Sequence, residues 1–238
     1  MSSHPQPDSA LEGKISAKFE EIANIGWFPE DVPSDSAQLE TVLDVLGDLR
    51  GKRVLDAGCA RGRFAKHLAA RGARMYGVDL TETFLKDART NVPAAAFTRG
   101  SLSALPFRAE AFDAVYCIEA LEHLPDTALA VREMTRVLKK QGTLLVIDKS
   151  LMGLDPGIGL PNFLVKPWAE RKGKWMYPPD FAFRERWFWP WKLAGVIRRE
   201  CGPVRTRFIP EGRGKASALY RRLPFLSLDV AWIGRKAR

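Results

Sequence analysis

Cysteine is scarce: Cys59, Cys117 and Cys201 are the only three, and no two form a C-x-x-C pair. A disulfide framework and the usual zinc spacings are thereby excluded, and a reducing, cytoplasmic compartment fits best. Long apolar runs are also missing. LLVI at 144–147 is typical of what is there, whereas crossing a bilayer takes about 20 apolar residues. The start, MSSHPQPDSA, has no basic stretch followed by an apolar one, so neither secretion nor integral membrane insertion is expected, and any membrane contact would be peripheral. There is no internal repeat or low-complexity tract. Acidic residues are few in one region only. Residues 1–150 hold 19 Lys/Arg against 21 Asp/Glu, while residues 151–238 hold 18 against 7, so the net charge of +9 comes entirely from the last third. Six of the seven tryptophans lie there too. The 238 residues, 46% hydrophobic, are enough for one large α/β domain or two small ones and exclude a wholly disordered chain.

Residues 1–10 read as a disordered tail, after which Leu11, Ile15, Phe19 and Ile22 recur on one face of a short helix. WFPEDVPSDS breaks that pattern, and Ser34, Asp35 and Ser36 offer N-caps for a helix running to about Leu49 and closed by Gly51. We therefore expect a tail and capping helix over 1–36, and one domain over 37–238.

From residue 52 the chain alternates strands and helices. Strands are expected at 53–58, 74–80, 94–100, 112–118 and 143–149, with helices at 63–72, 81–90 (N-capped by Thr81) and 126–140. Parallel neighbours need crossover helices, so this order predicts a Rossmann-like, doubly wound α/β sheet. Later come a helix at 191–200 and strands at GPVRTRFIP and LSLDVAWIG. These complete a seven-stranded, mostly parallel sheet with one antiparallel strand near the C-terminus. Residues 151–180, rich in Gly and Pro, are expected as a long surface excursion within an insert over about 151–190. Ligands of such sheets sit at the carboxyl ends of the strands.

Two features there carry chemistry. In VLDAGCARGRFA (54–65), Gly58 permits a sharp turn and Gly62 opens a helix whose free N–H groups favour an acceptor. A dinucleotide fingerprint would need glycines at 60 and 63, where Ala60 and Arg63 stand, which argues against a nicotinamide enzyme. Asp79 ends the second strand, 23 residues after Asp56. Its carboxylate can accept both hydroxyls of an adenosine ribose, or simply cap the helix at TETFL.

VLDAGCARGRFAKHLAARGARMYGVDLTETFL, GSLSALPFRAEAFDAVYCIEALEHLPD and RVLKKQGTLLV together resemble the class I S-adenosylmethionine-dependent methyltransferases, strongly over about residues 50–150. The resemblance implies S-adenosylmethionine as cofactor. It places Asp56, Gly58, Cys59, Ala60 and Gly62 at its methionine side, Asp79 and Leu80 at the ribose, Ser101 and Leu102 at the adenine, and Ile118 against adenine or methionine. Ala60 replaces the family's middle glycine and Ser101 its adenine-binding acid, changes that together weaken cofactor binding by about 1–2 kcal/mol. The string EALEHLPD (119–126) is similar to that of ubiquinone-biosynthesis O-methyltransferases. There His123 would be the general base with Glu119 beside it, and the equivalents of Glu119, Glu122 and His123 are associated with a divalent metal. His123 could equally brace the turn before Pro125. His67 and His4 read as incidental, and YPPD (177–180) as a loop.

Between Phe163 and Arg199 lie nine Lys/Arg, three Asp/Glu and five Trp. Such a mixture suits an anionic membrane surface or lipid-linked substrate, a single-stranded nucleic acid, or a substrate-side cap with a solvated rim. The D/N-P-P-Y motif of nucleic-acid and protein N-methylation is absent after the fourth strand, which holds CIEA. The expected function is methyl transfer to a small-molecule or lipid-linked acceptor, at oxygen. The alternatives are an RNA methyltransferase and a non-catalytic membrane- or RNA-binding member of the fold.

Overall fold

The computed structural model describes residues 9–25, 28–155, 157–174, 177–178, 180–210, 219–220 and 222–237. Of the tail expected over 1–10, residues 1–8, with His4, lie outside them, as do Trp27, Trp175 and Pro179, whereas Ser9 and Ala10 already belong to the first helix. Strands β1 (Arg53–Ala57), β2 (Arg74–Asp79), β3 (Ala96–Arg99), β4 (Phe112–Ile118), β5 (Leu138–Lys149), β6 (Val204–Ile209) and β7 (Asp229–Arg235) form one sheet in the order β3-β2-β1-β4-β5-β7-β6. The first five pair in parallel, and β7 is antiparallel to both β5 and β6. The order reverses between β1 and β4, so a ligand crevice opens there at the carboxyl ends.

The strands are buried on both faces because helices cover each. Leu55, Cys117, Val146 and Trp232 face helices α5 (Thr127–Val137) and α7 (Pro190–Cys201). Their neighbours Val54, Tyr116, Leu145 and Ala231 face α2 (Ala37–Leu46) and α3 (Arg63–Ala69). Alternation along each strand thus feeds two cores. Helix α4 (Glu82–Asn91) packs against α3, β2 and β3. The Trp232 indole N–H donates to Pro190 O at 2.8 Å, tying β7 to the start of α7.

Several boundaries differ from the expected ones for local reasons. Ser36 does cap α2, accepting the Leu39 N–H, but the helix stops at Leu46 because Gly47 takes φ +62° and returns its N–H to Leu43 O. The helix expected to 140 ends at Val137, and Leu138 already pairs with Phe112 as strand. Thr81 stands at the N-cap of α4 without capping it through its side chain. Glu20 of helix α1 (Ser9–Ile22) does so instead, accepting the Glu82 N–H at 2.6 Å and the Thr83 N–H at 3.4 Å. Of Leu226, Leu228, Val230 and Trp232, only the last two lie in β7, since Pro224–Leu226 forms a 3-10 turn. The excursion after β5 contains a helix, α6 (Asn162–Arg171), with Pro167 inside it. Pro167 carries no N–H that the pattern-based reading could use, and it masked the helix.

Candidate active site

The glycine loop after β1 is pinned to β2 by its backbone. Gly58 and Cys59 donate N–H groups to Val78 O at 2.9 and 3.0 Å. Gly58 has φ +83°, and a Cβ there would stand 2.5 Å from the Ala120 Cβ. Only glycine fits this approach. Ala60, in place of the second glycine, is held at φ 42°, and its N–H donates to Asp79 Oδ2 at 2.9 Å. Asp79 Oδ1 accepts the Thr81 N–H at 2.9 Å. One carboxylate therefore joins the loops after β1 and β2. Burial raises the pKa of Asp79 above the ordinary carboxylate value, and these backbone donors oppose the rise. Asp56 is buried on β1 and pushed up to about 7 by desolvation, although the Tyr116 hydroxyl donates to it at 2.8 Å.

A cavity of about 290 Å³ opens at this point, the size at which small-molecule sites begin. Asp56, Gly58, Cys59, Ala60, Asp79, Leu80, Leu102 and Ile118 line it, together with Glu119 and His123. Ser101 and Gly62 are not in its wall. The Ser101 hydroxyl accepts the Ser103 N–H at 2.9 Å, closing a local turn, and Gly100 and Leu102 face the cavity instead. Gly62 starts α3 at φ +74°, packed against Phe97 and Ala88.

Glu119 and His123 both line the cavity but bond to different partners. Glu119, at φ 51°, turns toward α2 and α3. It accepts from Arg63 Nη2 at 2.9 Å and from Gln38 Nε2 at 3.1 Å. Burial raises its pKa, but Lys149 and Arg63 outweigh that and hold it low. His123 meets other partners. Its Nε2 lies 3.5 Å from Glu122 Oε1 and 3.8 Å from Glu185 Oε1, and its Nδ1 lies 3.3 Å from Tyr177 Oη. Desolvation lowers its pKa to about 4 despite the nearby carboxylates, so the ring is neutral at physiological pH.

Lys149, at the carboxyl end of β5, also lines the cavity and donates its ammonium to Glu122 Oε1. Burial opposes its charge, yet Glu122, Glu119 and Glu185 raise its pKa above the ordinary lysine value. It is a fixed cation. The lid is aromatic: Phe19 of α1 packs edge-on to His123 at 5.0 Å and to Phe84 at 6.4 Å, and Phe28 meets Phe84 at 4.9 Å. Arg61 fastens this lid, donating to Ala23 O at 2.6 Å and pairing with Asp87. His67, expected to be incidental, braces the approach to α2, with Nε2 2.9 Å from Asp31 Oδ1.

The sequence reading missed Lys149, Glu185, Tyr177 and Arg63. Lys149 carried a usable signal, since it ends a parallel strand. Glu185 and Tyr177 lie in the insert, where no periodicity gave them a place.

A divalent cation, which the sequence resemblance associates with Glu119, Glu122 and His123, finds a different set of donors. One ligand atom each from Glu122, His123 and Glu185 lies within 4.8 Å of the others. Glu122 Oε2 is buried with no hydrogen-bond partner among the described residues. Two carboxylates and an imidazole suit a hard-to-borderline cation, so the residues present fit one, with Glu185 in place of Glu119.

Comparison with known proteins agrees with this geometry. A family described as "Methyltransferase domain" matches residues 55–146. Residues 55–146 are therefore similar to a methyltransferase domain. The chain is 35% identical over 141 residues to the ubiquinone biosynthesis O-methyltransferase of Alkalilimnicola ehrlichii, covering 54% of this chain and 56% of that protein. The chain thus spans little more than half the length of that curated relative. Among solved structures, an S-adenosylmethionine-dependent methyltransferase of Thermotoga maritima superposes with a TM-score of 0.65, at 22% identity, over 92% of this chain and 99% of that one. Magnesium protoporphyrin IX methyltransferase from Synechocystis, solved with S-adenosylmethionine bound, gives a TM-score of 0.63 at 14% identity over the whole of both chains. These structural likenesses establish the seven-stranded methyltransferase fold. Both the Gly58–Asp79 loops and the His123 turn belong to the matched domain, whereas Tyr177 and Glu185 lie beyond it.

Proposed function

We propose that this methyltransferase transfers the methyl group of S-adenosylmethionine to a hydroxyl oxygen of a small, largely apolar acceptor, carried on a lipid at the periphery of an anionic membrane. The observation that carries this reading is one cavity lined by both kinds of residue. Its wall includes the Gly58 loop and Asp79 together with His123, Lys149 and the aromatic rings of Phe19, Phe28 and Phe84. The name of the Alkalilimnicola relative, an O-methyltransferase of ubiquinone biosynthesis, supports an oxygen nucleophile on a lipid-tailed ring.

The cofactor supplies an already activated methyl group, so the protein's task is largely positioning, which can contribute about 7–11 kcal/mol. Asp79 holds the ribose end, and the Gly58 turn lets the backbone close on the methionine end. An acceptor hydroxyl must also lose its proton. The carboxylates of Glu122 and Glu185 face His123 Nε2 and favour the tautomer protonated there, which leaves the lone pair on Nδ1. Nδ1 takes the proton once the acceptor hydroxyl replaces Tyr177 Oη beside it, and the same carboxylates stabilise the imidazolium that results. The Lys149 ammonium lines the same cavity and favours the oxyanion as it forms. A divalent cation, when bound by Glu122, His123 Nε2 and Glu185, would take the place of the Nε2 proton and would supply Lewis-acid lowering of the hydroxyl pKa instead of the imidazole base.

The test is transfer of radiolabelled methyl from S-adenosylmethionine to polyprenylated catechols, to catechol itself and to RNA. Transfer to the prenylated ring in preference to the other two is expected. Transfer to RNA alone, or to no hydroxyl compound, would overturn the assignment.

A further inference from the structure

Helix α6 is inside out. Its buried face carries Asn162, Val165, Lys166 and Ala169, while its solvent face is Phe163, Leu164, Pro167 and Trp168. Leu164 is 55% exposed and Trp168 51%. A helix on a water-facing surface normally shows the reverse pattern. The lysine inside is committed: the Lys166 ammonium donates to Glu185 O at 2.6 Å and pairs with Glu170. The apolar face is therefore not a by-product of a greasy helix, because the same helix spends a lysine on the interior.

The exposed apolar surface continues beyond α6. Phe163 packs against Trp189 with ring centroids 5.7 Å apart, and Trp189 stacks on Trp191 at 5.1 Å. Trp191 is 58% exposed at the start of α7, and Ile158 and Leu160 are about half exposed in the loop before α6. Contiguous apolar patches of this kind mark interaction sites. Their setting here is basic. Arg171, Lys172 and Lys174 are exposed where α6 ends, Lys192 is exposed beside Trp191, and the Lys174 ammonium lies 5.6 Å from the centre of the Trp168 ring. Of the nearby acids, Glu170 is paired with Lys166, and Asp155 accepts the N–H groups of Gly157 and Ile158.

We infer that this face docks on an anionic lipid bilayer, with Leu164, Phe163 and Trp168 entering the headgroup and acyl boundary and the flanking lysines and arginines meeting acidic headgroups. Charge complementarity selects that occupant. Tryptophan flanked by lysine is the pattern of interfacial anchoring, and a cluster of Lys/Arg is attracted to an acidic leaflet. No helix among the described residues is long and apolar enough to cross a membrane, so the contact is peripheral. The docking face and the active site share one insert: Lys166 on the back of α6 holds the backbone of Glu185, whose side chain lines the cavity. The inference deepens the lipid-linked reading of the acceptor and rests on it only for its purpose, since membrane binding can be measured without any acceptor.

The experiment is flotation of the full chain with vesicles of pure phosphatidylcholine and of phosphatidylcholine containing 30% phosphatidylglycerol, at about 0.15 M salt. Recovery with the acidic vesicles is expected, at least tenfold above that with neutral ones. Phe163→Ser, Leu164→Ser and Trp168→Ser combined should lower it at least tenfold while leaving S-adenosylmethionine affinity unchanged, which shows the fold intact. Lys172→Glu with Lys174→Glu should remove the preference for acidic vesicles. Absence of flotation, or flotation indifferent to both sets of substitutions, overturns the inference. So does a stable dimer by light scattering that the α6 triple substitution dissociates, which would give the face to a second copy. Failure of methyl transfer to prenylated acceptors, with flotation intact, would count against the acceptor assignment and not against the surface.

Discussion

The Tyr177 hydroxyl lies 3.3 Å from His123 Nδ1, joining a residue of the insert to the turn that follows β4. Tyr177 is almost fully buried, and burial together with the Glu185 and Glu122 charges raises its pKa above the ordinary tyrosine value. It therefore remains a hydroxyl and donates toward the His123 lone pair, fixing the plane of the ring. The insert thus contacts the His123 turn directly.

Tyr177→Phe is expected to keep the packing against Phe181 and Phe183 while removing that donor. The turnover number should fall about tenfold, in line with loss of one hydrogen bond worth about 1–1.5 kcal/mol, and the Kd for S-adenosylmethionine should not change. Steady-state kinetics with calorimetry of cofactor binding reads both. A weakened cofactor Kd at normal turnover would place Tyr177 on the wrong side of the cavity.

Asp79 bridges two loops, so two variants separate its roles. Asp79→Ala should lower S-adenosylmethionine affinity by about 10- to 100-fold, the worth of one charge-assisted bond of roughly 1.5–3 kcal/mol. Asp79→Asn retains an oxygen acceptor for one of the Ala60 and Thr81 N–H groups and should be closer to wild type in melting temperature than in affinity. Calorimetry and thermal unfolding on the same samples distinguish them, and equal affinity in all three proteins would remove Asp79 from the cofactor site.

Gly58→Ala tests the close approach directly. The new methyl would meet Ala120 at 2.5 Å in a backbone region of φ +83°, so both strain and overlap act against it. A loss of about 1–3 kcal/mol in urea unfolding is expected, with cofactor binding lost as the loop shifts. The double variant with Ala120→Gly should recover part of the stability by removing the overlap, leaving only the backbone strain.

The sheet order was legible because strands with two buried faces leave continuous apolar runs, and because crossover helices announce themselves by period and caps. Asp126 and Ser36 cap as their residue types predict. The turn at Gly58 was legible for a similar reason: a strand end at φ +83° against Ala120 leaves no room for a Cβ, while Asp79 is seen to join the two loops through the Ala60 and Thr81 N–H groups. Ser101 stands outside the cavity wall, its hydroxyl satisfying the Ser103 N–H locally, a competition that short polar side chains often win. Glu119 was paired with His123 by their spacing of four, but the turn there is a single 3-10 turn entered at positive φ, so helical spacing did not apply. The acceptor end could not be read, because Tyr177 and Glu185 reach it through non-periodic chain.

Asp56 gives the fold a pH dependence of unusual sign. Its pKa in the folded protein is about 7, raised by burial, against about 3.9 in an unfolded chain. The folded state therefore holds a proton that the unfolded state has released, and its contribution to stability is complete below about pH 4 and lost as pH rises to 7. Between pH 5 and 8 wild type should lose about 2–3 kcal/mol from this group. Asp56→Asn, which keeps the hydrogen bond from Tyr116, should show a correspondingly flatter profile in urea titrations. An identical slope in both proteins would assign the dependence elsewhere.

Lys149 stands where it can decide whether the Glu122, His123 and Glu185 cluster takes a cation. Its ammonium neutralises Glu122 from inside the cavity wall, and a divalent ion must share that carboxylate with it, using the unpartnered Oε2. Lys149→Met leaves the buried carboxylate without its counter-charge, a change that costs about 3–5 kcal/mol. The variant should accordingly unfold at lower urea than wild type. Added Mn²⁺ should restore the loss in the variant more than it stabilises wild type, since a ligand at 100 times its Kd contributes about 2.7 kcal/mol. Glu185→Gln on the Lys149→Met background should abolish that recovery, because it removes one of the three donors that converge within 4.8 Å. Recovery that survives Glu185→Gln would show the ion bound without the insert, at Glu122 and His123 alone, and would return Glu185 to the role of a neighbour that tunes the His123 ring.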